Sequence, residues 1–183
     1  MPNSNIEHLF AEHGDEQYSG EPVTQLEHAL QAAYLAENEG ADDELVTAAL
    51  LHDLGHLLHE LGDTPSLRGV DDVHQFRALP FLRGLFSDNV LNAIGLHVDA
   101  KRFLCATQPQ YHARLSEDSK RSLLLQGGTF DDATAADFIR QPGAARAVQL
   151  RLWDDAAKTA NLATPTLAHF MQHASRCVLK AQV

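Results

Sequence analysis

The stretch AALLHDLGH, residues 48–56, places a His-Asp pair and a second histidine within the most apolar part of the chain. Its composition predicts a central buried helix over residues 43–59. On a helix, His52 and Asp53 point about 100° apart and can reach one common point, and His56 lies one turn beyond His52 on the same side. Burying such polar groups without partners costs several kcal/mol, so coordination of a metal ion is the simplest way to satisfy them.

Helical patterns extend along nearly the whole chain. Thr24 with Glu27 forms a capping-box pattern, and Asp42 is a second N-cap candidate. Further helices are predicted over residues 24–39, 71–84, 87–103, 116–125, 131–140, 143–160 and 165–180. There is no alternating Val/Ile/Thr run and no Asn-Gly hairpin signal. We therefore predict an all-α helical bundle forming one domain over residues 1–183, with any site built between facing helices.

Composition and charge restrict the classes of function. Against 25 Asp and Glu there are only 14 Lys and Arg, and this net charge of −11 argues against a nucleic-acid interface. Cys105 and Cys177 show neither a disulfide framework nor metal-ligand spacing. The first residues lack a signal-peptide pattern, and no apolar run approaches the roughly 20 residues of a membrane span. We expect a cytoplasmic monomer or small homo-oligomer that binds neither nucleic acid nor membrane.

An ordinary globular composition does not explain the 11 histidines. Outside residues 48–56, single candidate metal ligands occur in apolar surroundings at His28, His74, His97 and Asp154. With His52 and Asp53 they supply six side chains, enough for two metal ions if one carboxylate bridges. Such mixed imidazole and carboxylate ligation suits Fe, Mn, Co, Ni or Zn and disfavours Ca.

The remaining histidines have no such support. His169 and His173 lie four residues apart and could in principle share a metal ion, but the sequence shows no third ligand near them. We therefore interpret this pair as surface or packing residues. The same interpretation applies to His8, His13, His59 and His112.

Donor side chains lie one helical turn from three of the candidate ligands. Lys101 and His56 each follow a candidate ligand by four residues, and Arg151 precedes one by three. We expect these three groups to converge on a small dianion beside the metals. Ser119 and Gln126 are seven residues apart, which is two turns on one face if their helix is continuous.

The ordered ligand set, within residues 18–155, resembles the HD-domain superfamily in its form with two metals. Most HD proteins are phosphohydrolases, and a smaller branch consists of mixed-valent diiron oxygenases. Five segments resemble motifs of the branch members that cleave the C–P bond of 1-hydroxyphosphonates: Tyr18–Glu21 (Tyr-x-Gly-Glu), Leu51–His56 (His-Asp-Leu-Gly-His), His97–Arg102 (His-Val-x-Ala-Lys-Arg), Gln126–Gly128 (Gln-Gly-Gly) and Arg151–Asp154 (Arg-x-Trp-Asp).

The resemblance implies two irons in a mixed-valent Fe2+/Fe3+ pair, with dioxygen as co-substrate. One iron would be held by His28, His52, Asp53 and Asp154. The other would be held by His74, His97 and the bridging Asp53. Tyr18 and Glu21 would form a lid, with Glu21 occupying the open position of the second iron until substrate displaces it.

The resemblance also implies a small phosphonate substrate. The groups that bind it would be His56, Lys101, Ser119, Gln126 and Arg151. Cleavage would give phosphate and glycine from a 2-amino-1-hydroxyethylphosphonate, or phosphate and glycine betaine from its 2-trimethylammonio analogue. No sequence feature decides between the two cations. A quaternary ammonium group favours aromatic walls. The aromatic residues available are Tyr34, Phe76, Phe103 and Trp153, although plain core packing fits each of them better.

Besides an oxygenase with another substrate such as a cyclitol, two other functions remain open at this point. The same ligands and cationic groups would suit an HD-type phosphohydrolase that acts on a small phosphomonoester or nucleotide through metal-bound hydroxide. A non-catalytic scaffold is a third possibility, which the complete ligand set disfavours. Oxygen uptake favours the oxygenase, whereas phosphate release without oxygen favours the phosphohydrolase.

Overall fold

The computed structural model of the protein describes residues 2–58 and 64–180. Within these ranges the α-helices are α1 (Pro2–His13), α2 (Gln25–Asn38), α3 (Asp43–Leu51), α4 (His74–Leu82), α5 (Asp88–Thr107), α6 (Tyr111–Arg114), α7 (Glu117–Leu125), α8 (Asp132–Phe138), α9 (Ala144–Ala156) and α10 (Leu167–Cys177). Two short 3₁₀ helices, Leu54–Leu58 and Pro65–Arg68, lie between α3 and α4. The β pairing among the described residues consists of two isolated bridges, and the prediction of an all-α fold is confirmed.

Helix α3 is the central element, as its apolar sequence predicts. Every residue from Leu45 to Leu51 is buried. Around it pack α2, α5, α9 and α10, and the long helix α5 also runs along α9. Burying a leucine side chain contributes roughly 1.5–3 kcal/mol, so this shared core fixes the relative positions of the surrounding helices. Candidate ligands carried by α2, α5 and α9 are therefore held on rigid elements.

The predicted helix starts agree with the structure at α2 and α3. Thr24 accepts a hydrogen bond from the Glu27 backbone N–H, and the Glu27 carboxylate accepts one from the Thr24 backbone N–H. The Asp42 side chain accepts from the backbone N–H of Leu45 and caps α3. Each such cap satisfies a helix-terminal N–H that would otherwise lack a partner.

The predicted helix over residues 43–59 is wrong in its second half. Helix α3 ends before the His-Asp pair, which lies in a turn followed by the 3₁₀ helix Leu54–Leu58. A Cβ atom at Gly55 would lie 2.0 Å from the carbonyl oxygen of His74. The chain therefore turns where the Gly55 backbone meets the start of α4, an approach that only glycine permits. His59 lies outside the described residues.

The predicted helix over residues 71–84 begins three residues later, at His74. Residues before it form a tight turn in which Val73 has a φ of 48°, a left-handed conformation that is rare for a β-branched side chain. The Asp71 and Asp72 carboxylates accept hydrogen bonds from the backbone N–H groups of Val73 and His74. This turn sets the direction of the His74 side chain.

Other boundaries differ from the predictions by a few residues. Helix α5 continues past residue 103 to Thr107, while α8, α9 and α10 are shorter than predicted. Helices α1 and α6 were not predicted at all. The sequence does carry a signal for α1, because the apolar residues Ile6 and Phe10 are four residues apart. The structure buries both of them.

Candidate metal centre

Asp53 stands between two groups of buried histidines. Its Oδ2 atom lies 3.4 Å from His28 Nε2 and 3.3 Å from His52 Nε2. Its Oδ1 atom lies 3.2 Å from His74 Nε2 and 3.5 Å from His97 Nε2. The structure thus brings the predicted ligands into two groups that share one carboxylate, each oxygen facing one group.

Asp154 completes the first group from helix α9. Its Oδ1 atom lies 3.5 Å from His28 Nε2 and its Oδ2 atom lies 3.9 Å from His52 Nε2. Arg151, one turn earlier on α9, donates to Asp154 Oδ2 at 2.8 Å. Atoms bound to one ion at about 2.1 Å lie about 3.0–3.4 Å apart in octahedral or tetrahedral geometry, so the spacing within each group suits one ion.

All four histidines direct Nδ1 away from Asp53. Three of them place Nδ1 against a backbone carbonyl oxygen: His28 against Ala157 at 2.8 Å, His52 against Ala49 at 2.8 Å, and His97 against Ile94 at 2.7 Å. His74 Nδ1 lies 2.8 Å from Asp72 Oδ1. Because these oxygens accept and cannot donate, each Nδ1 carries a proton and each Nε2 can offer its lone pair to a metal.

The donor set fits a metal ion in both groups. His28 Nε2 and His52 Nε2 lie 3.2 Å apart, and His74 Nε2 and His97 Nε2 lie 3.0 Å apart. With one proton on each Nδ1, both Nε2 atoms of each pair are available to coordinate one metal ion. Asp53 Oδ1 is also buried without a hydrogen-bond partner. A cation in each group satisfies these atoms, whereas burial without one is costly.

Burial and charge shift the histidine pKa values in different directions. Burial lowers the pKa of His97 to about 4, which favours the neutral ring that a metal requires. Burial also lowers the pKa of His52, but the negative charges of Asp53 and Asp154 outweigh it and raise that pKa to about 10. The first group therefore attracts positive charge strongly, as expected of a metal site with two carboxylates.

His56 lies beside the second group rather than one helical turn above His52. Its ring stacks on His74 with the centroids 4.1 Å apart. Its Nδ1 atom is 2.7 Å from Asp72 Oδ2, and its Nε2 atom is 3.8 Å from Asp53 Oδ2. Asp72 therefore orients both His56 and His74. Sequence reasoning missed Asp72, although a carboxylate two residues before a candidate ligand was an available signal.

Tyr18 covers the first group, while Glu21 lies apart from both. The Tyr18 ring stacks on His28 at 3.9 Å, and its hydroxyl donates to Asp53 Oδ2 at 2.8 Å. Burial, followed by the charge of Asp53, raises the Tyr18 pKa well above its usual value, so the hydroxyl keeps its proton. The Glu21 carboxylate lies 3.2 Å from Lys158 Nζ. Ligation of the second iron by Glu21, implied by the resemblance, does not describe this conformation.

A pocket opens beside Asp53, and its donor groups come from α5, α7 and α9. The lining residues with donor side chains on these helices, or at the C-terminal cap of α7, are Lys101, Ser119, Ser122, Gln126 and Arg151. Lys101 is only 2% exposed, and its Nζ atom donates to Ser122 Oγ at 2.8 Å. Burial and the nearby Arg151 lower the pKa of Lys101 to about 7. Two buried cationic side chains beside hydroxyl groups are a donor set that suits a small anion.

The lining of the pocket is also acidic in part. It includes Ser66, Asp71, Asp72 and Asp118. The Asp118 carboxylate accepts hydrogen bonds from Ser66 and Arg121. The lining of the pocket therefore combines cationic and acidic side chains around the metal ligands.

The four aromatic residues considered as pocket walls lie elsewhere. Tyr34, Phe103 and Trp153 pack with hydrophobic clusters of the core, as the plainer interpretation predicts. Phe76 is 52% exposed and borders a different surface depression. Tyr18 is therefore the aromatic ring, apart from the histidines, that the described residues bring to this pocket.

Comparison with known proteins adds to this geometry. The family model of the HD domain matches residues 25–126. The chain belongs to the HD-domain family. It is 41% identical over 172 residues to [1-hydroxy-2-(trimethylamino)ethyl]phosphonate dioxygenase (glycine-betaine-forming) of Leisingera caerulea, covering 94% of this chain and 88% of the relative. It is 43% identical over 171 residues to hydroxymethylphosphonate dioxygenase of Gimesia maris, covering 93% and 85%.

These relatives confirm the resemblance to HD-domain phosphonate oxygenases, and with it the prediction that this HD-domain protein is an oxygenase. The His/Asp cluster around Asp53 is suited to the metal centre that such an enzyme uses. None of the helices in residues 2–58 and 64–180 is both long and apolar enough to cross a membrane.

Proposed function

We propose that this protein uses dioxygen to cleave the C–P bond of a 2-amino- or 2-trimethylammonio-1-hydroxyethylphosphonate. The products are phosphate and glycine or glycine betaine. The observation that carries the proposal is the position of Asp53, which faces a histidine group with each oxygen and borders a pocket with two buried cations. The names of the two relatives support the same chemistry.

The metals that we propose are a mixed-valent pair of irons. The first would be held by His28, His52, Asp53 and Asp154, and the second by Asp53, His74 and His97. When bound, the pair supplies the redox chemistry with dioxygen. The reaction balances without a further reductant, because both oxygen atoms of O2 enter the products: R–CH(OH)–PO3H2 plus O2 gives R–COOH plus H3PO4.

The protein binds and orients the phosphonate. Lys101 and Arg151 neutralise the dianion, and their burial strengthens the attraction because little water screens it. Ser119 and Gln126 add hydrogen bonds from α7 and its C-terminal end. His56 lines the same pocket, with its Nε2 atom 3.8 Å from Asp53 Oδ2, and would contact the phosphonate from there.

Tyr18 and Glu21 act as the lid in this proposal. The lid segment turns through Ser19 and Gly20, which have φ values of 33° and 74°. Tyr18 shields the first ligand group and holds Asp53 through its hydroxyl. Glu21 reaches the second iron only if it leaves Lys158, so the segment must move for that role.

The acidic residues of the pocket support a cationic substituent at C2. Asp71 and Asp118 line the same pocket as Lys101, so a substrate with a dianionic and a cationic end has partners for both charges there. Both a primary ammonium and a trimethylammonium group satisfy this charge pattern. The relatives do not narrow the choice, since one is named for the trimethylamino compound and the other for hydroxymethylphosphonate.

The test measures oxygen consumption against three 1-hydroxyphosphonates that carry an amine, a trimethylammonium group or no C2 group. We expect one phosphate released per O2 consumed, with the highest kcat/KM for a cationic substrate. A His52→Ala variant should consume no oxygen. Phosphate release from these compounds or from p-nitrophenyl phosphate under strict exclusion of oxygen would instead support the phosphohydrolase alternative.

A further inference from the structure

A second cluster of metal-ligating side chains lies where α10 packs against α2 and α3. His169 and His173 on α10 both direct Nε2 at the same oxygen, Oε1 of Glu37, at 2.8 and 2.9 Å. Glu37 is the third ligand that the sequence does not reveal near this pair. It is nine residues beyond His28 on α2, so the cluster lies about 13 Å along the helix axis from the Asp53 centre.

The carboxylate of Asp43 fixes the orientation of this cluster. Asp43 Oδ1 lies 2.6 Å from His173 Nδ1, which leaves Nε2 of the same ring directed at Glu37. Arg176 in turn donates to both oxygens of Asp43, each at 2.7 Å. A carboxylate that orients a histidine through the nitrogen away from the metal is the usual support of a zinc ligand.

The three side chains of this cluster are partly exposed, which leaves room for an ion that also binds water. The side chains of Glu37, His169 and His173 are 30%, 41% and 13% exposed, so the three donor atoms converge at the surface. The distances from Glu37 Oε1 to the two Nε2 atoms are a few tenths of an ångström below the roughly 3.0–3.4 Å expected between atoms bound to one ion. Small rotations of the His169 and Glu37 side chains, which are both partly exposed, would lengthen these distances.

We propose that Glu37, His169 and His173 form a second site for a divalent transition metal, and that zinc is the ion it binds. Two imidazoles and one carboxylate, with an open position for water, are a donor set that zinc commonly takes, whereas Ca2+ and Mg2+ prefer oxygen ligands. The ion ties α10 to α2 directly and to α3 through Asp43. Since the unfolded chain lacks this arrangement, binding stabilises the fold.

The test measures the number of iron and zinc ions per chain by mass spectrometry, after the iron-loaded protein has been dialysed against zinc. We expect the wild type to take up one zinc per chain while keeping its iron. Its melting temperature should rise by about 5–10 °C at a zinc concentration one hundred times Kd. The double variant His169→Ala/His173→Ala should lose this zinc and this rise while keeping its iron and oxygen uptake.

A matched control removes two exposed histidines outside the cluster, in the double variant His8→Ala/His112→Ala, which should keep the extra zinc. The proposal is overturned if the only zinc in the wild type is zinc that has replaced iron in the Asp53 centre. It is also overturned if the variant His169→Ala/His173→Ala binds as much zinc as the wild type. Should that variant fail to fold, Glu37→Gln decides: a tenfold or greater weakening of zinc binding supports the site, and unchanged affinity overturns it.

Discussion

Replacing Lys101 with methionine removes one of the two positive charges of the anion pocket and keeps most of the length of the side chain. Lys101 is 2% exposed and donates to Ser122, so its ammonium group is held in place before substrate binds. Methionine retains the apolar stem, and exchanging a buried cation for an apolar group of similar size need not destabilise the fold. A charge-assisted hydrogen bond contributes about 1.5–3 kcal/mol, which corresponds to a factor of about 10–150 in affinity.

This loss of affinity can be measured from the initial rate of oxygen uptake as a function of substrate concentration. We expect the KM of Lys101→Met to rise by about 10–150-fold, with the iron content and melting temperature close to those of wild type. Lys120→Met on the same helix as Ser122 is the matched control, because Lys120 pairs with Glu117 at the surface. A KM within twofold of wild type in fully iron-loaded Lys101→Met would refute the assignment of Lys101 to the phosphonate.

Four further outcomes follow from the same geometry. Asp53→Ala should lose both irons, and two irons retained per chain would contradict the bridging role. Gly55→Ala should lower both melting temperature and iron content, because its Cβ would meet the His74 carbonyl at 2.0 Å. Glu21→Ala should keep both irons but change the response to substrate; loss of iron would make Glu21 a structural ligand. Because burial lowers the Lys101 pKa to about 7, its charge is lost as pH rises through that value. The KM of wild type should therefore increase above pH 7, and that of Lys101→Arg should not.

Sequence patterns sufficed for features that depend on neighbouring residues. The capping box at Thr24 and the N-cap at Asp42 are local, and both appear as predicted. The six candidate ligands could be found because each is a polar residue in an apolar helix or next to one, where a lone polar group is costly. The order of these residues along the chain then indicated the family.

Features that depend on contacts between distant segments could not be predicted. The turn after α3 exists because the Gly55 backbone meets the His74 carbonyl, a contact made only in the folded chain. Ser122 was missed because a serine in a polar helix carries no signal until Lys101 is seen to point at it. The pairing of Glu21 with Lys158 depends in the same way on the fold.

The His169 and His173 pair shows the same limit at the surface. Its i, i+4 spacing is visible in the sequence, but the carboxylate that both rings face is on α2, more than one hundred residues earlier. Spacing along one helix therefore identifies possible ligands, whereas the number of ligands at a site depends on which helices pack together.

In the metal centre proposed above, the single carboxylate of Asp53 joins two metal ions. Anomalous scattering at the iron edge from crystals of the iron-loaded protein tests it most directly. We predict two iron peaks about 3.5–4 Å apart, one against His28 and His52 and the other against His74 and His97, with an Asp53 oxygen bound to each. A single peak, with Asp53 bound through one oxygen and the other histidine pair free of metal, would contradict the account.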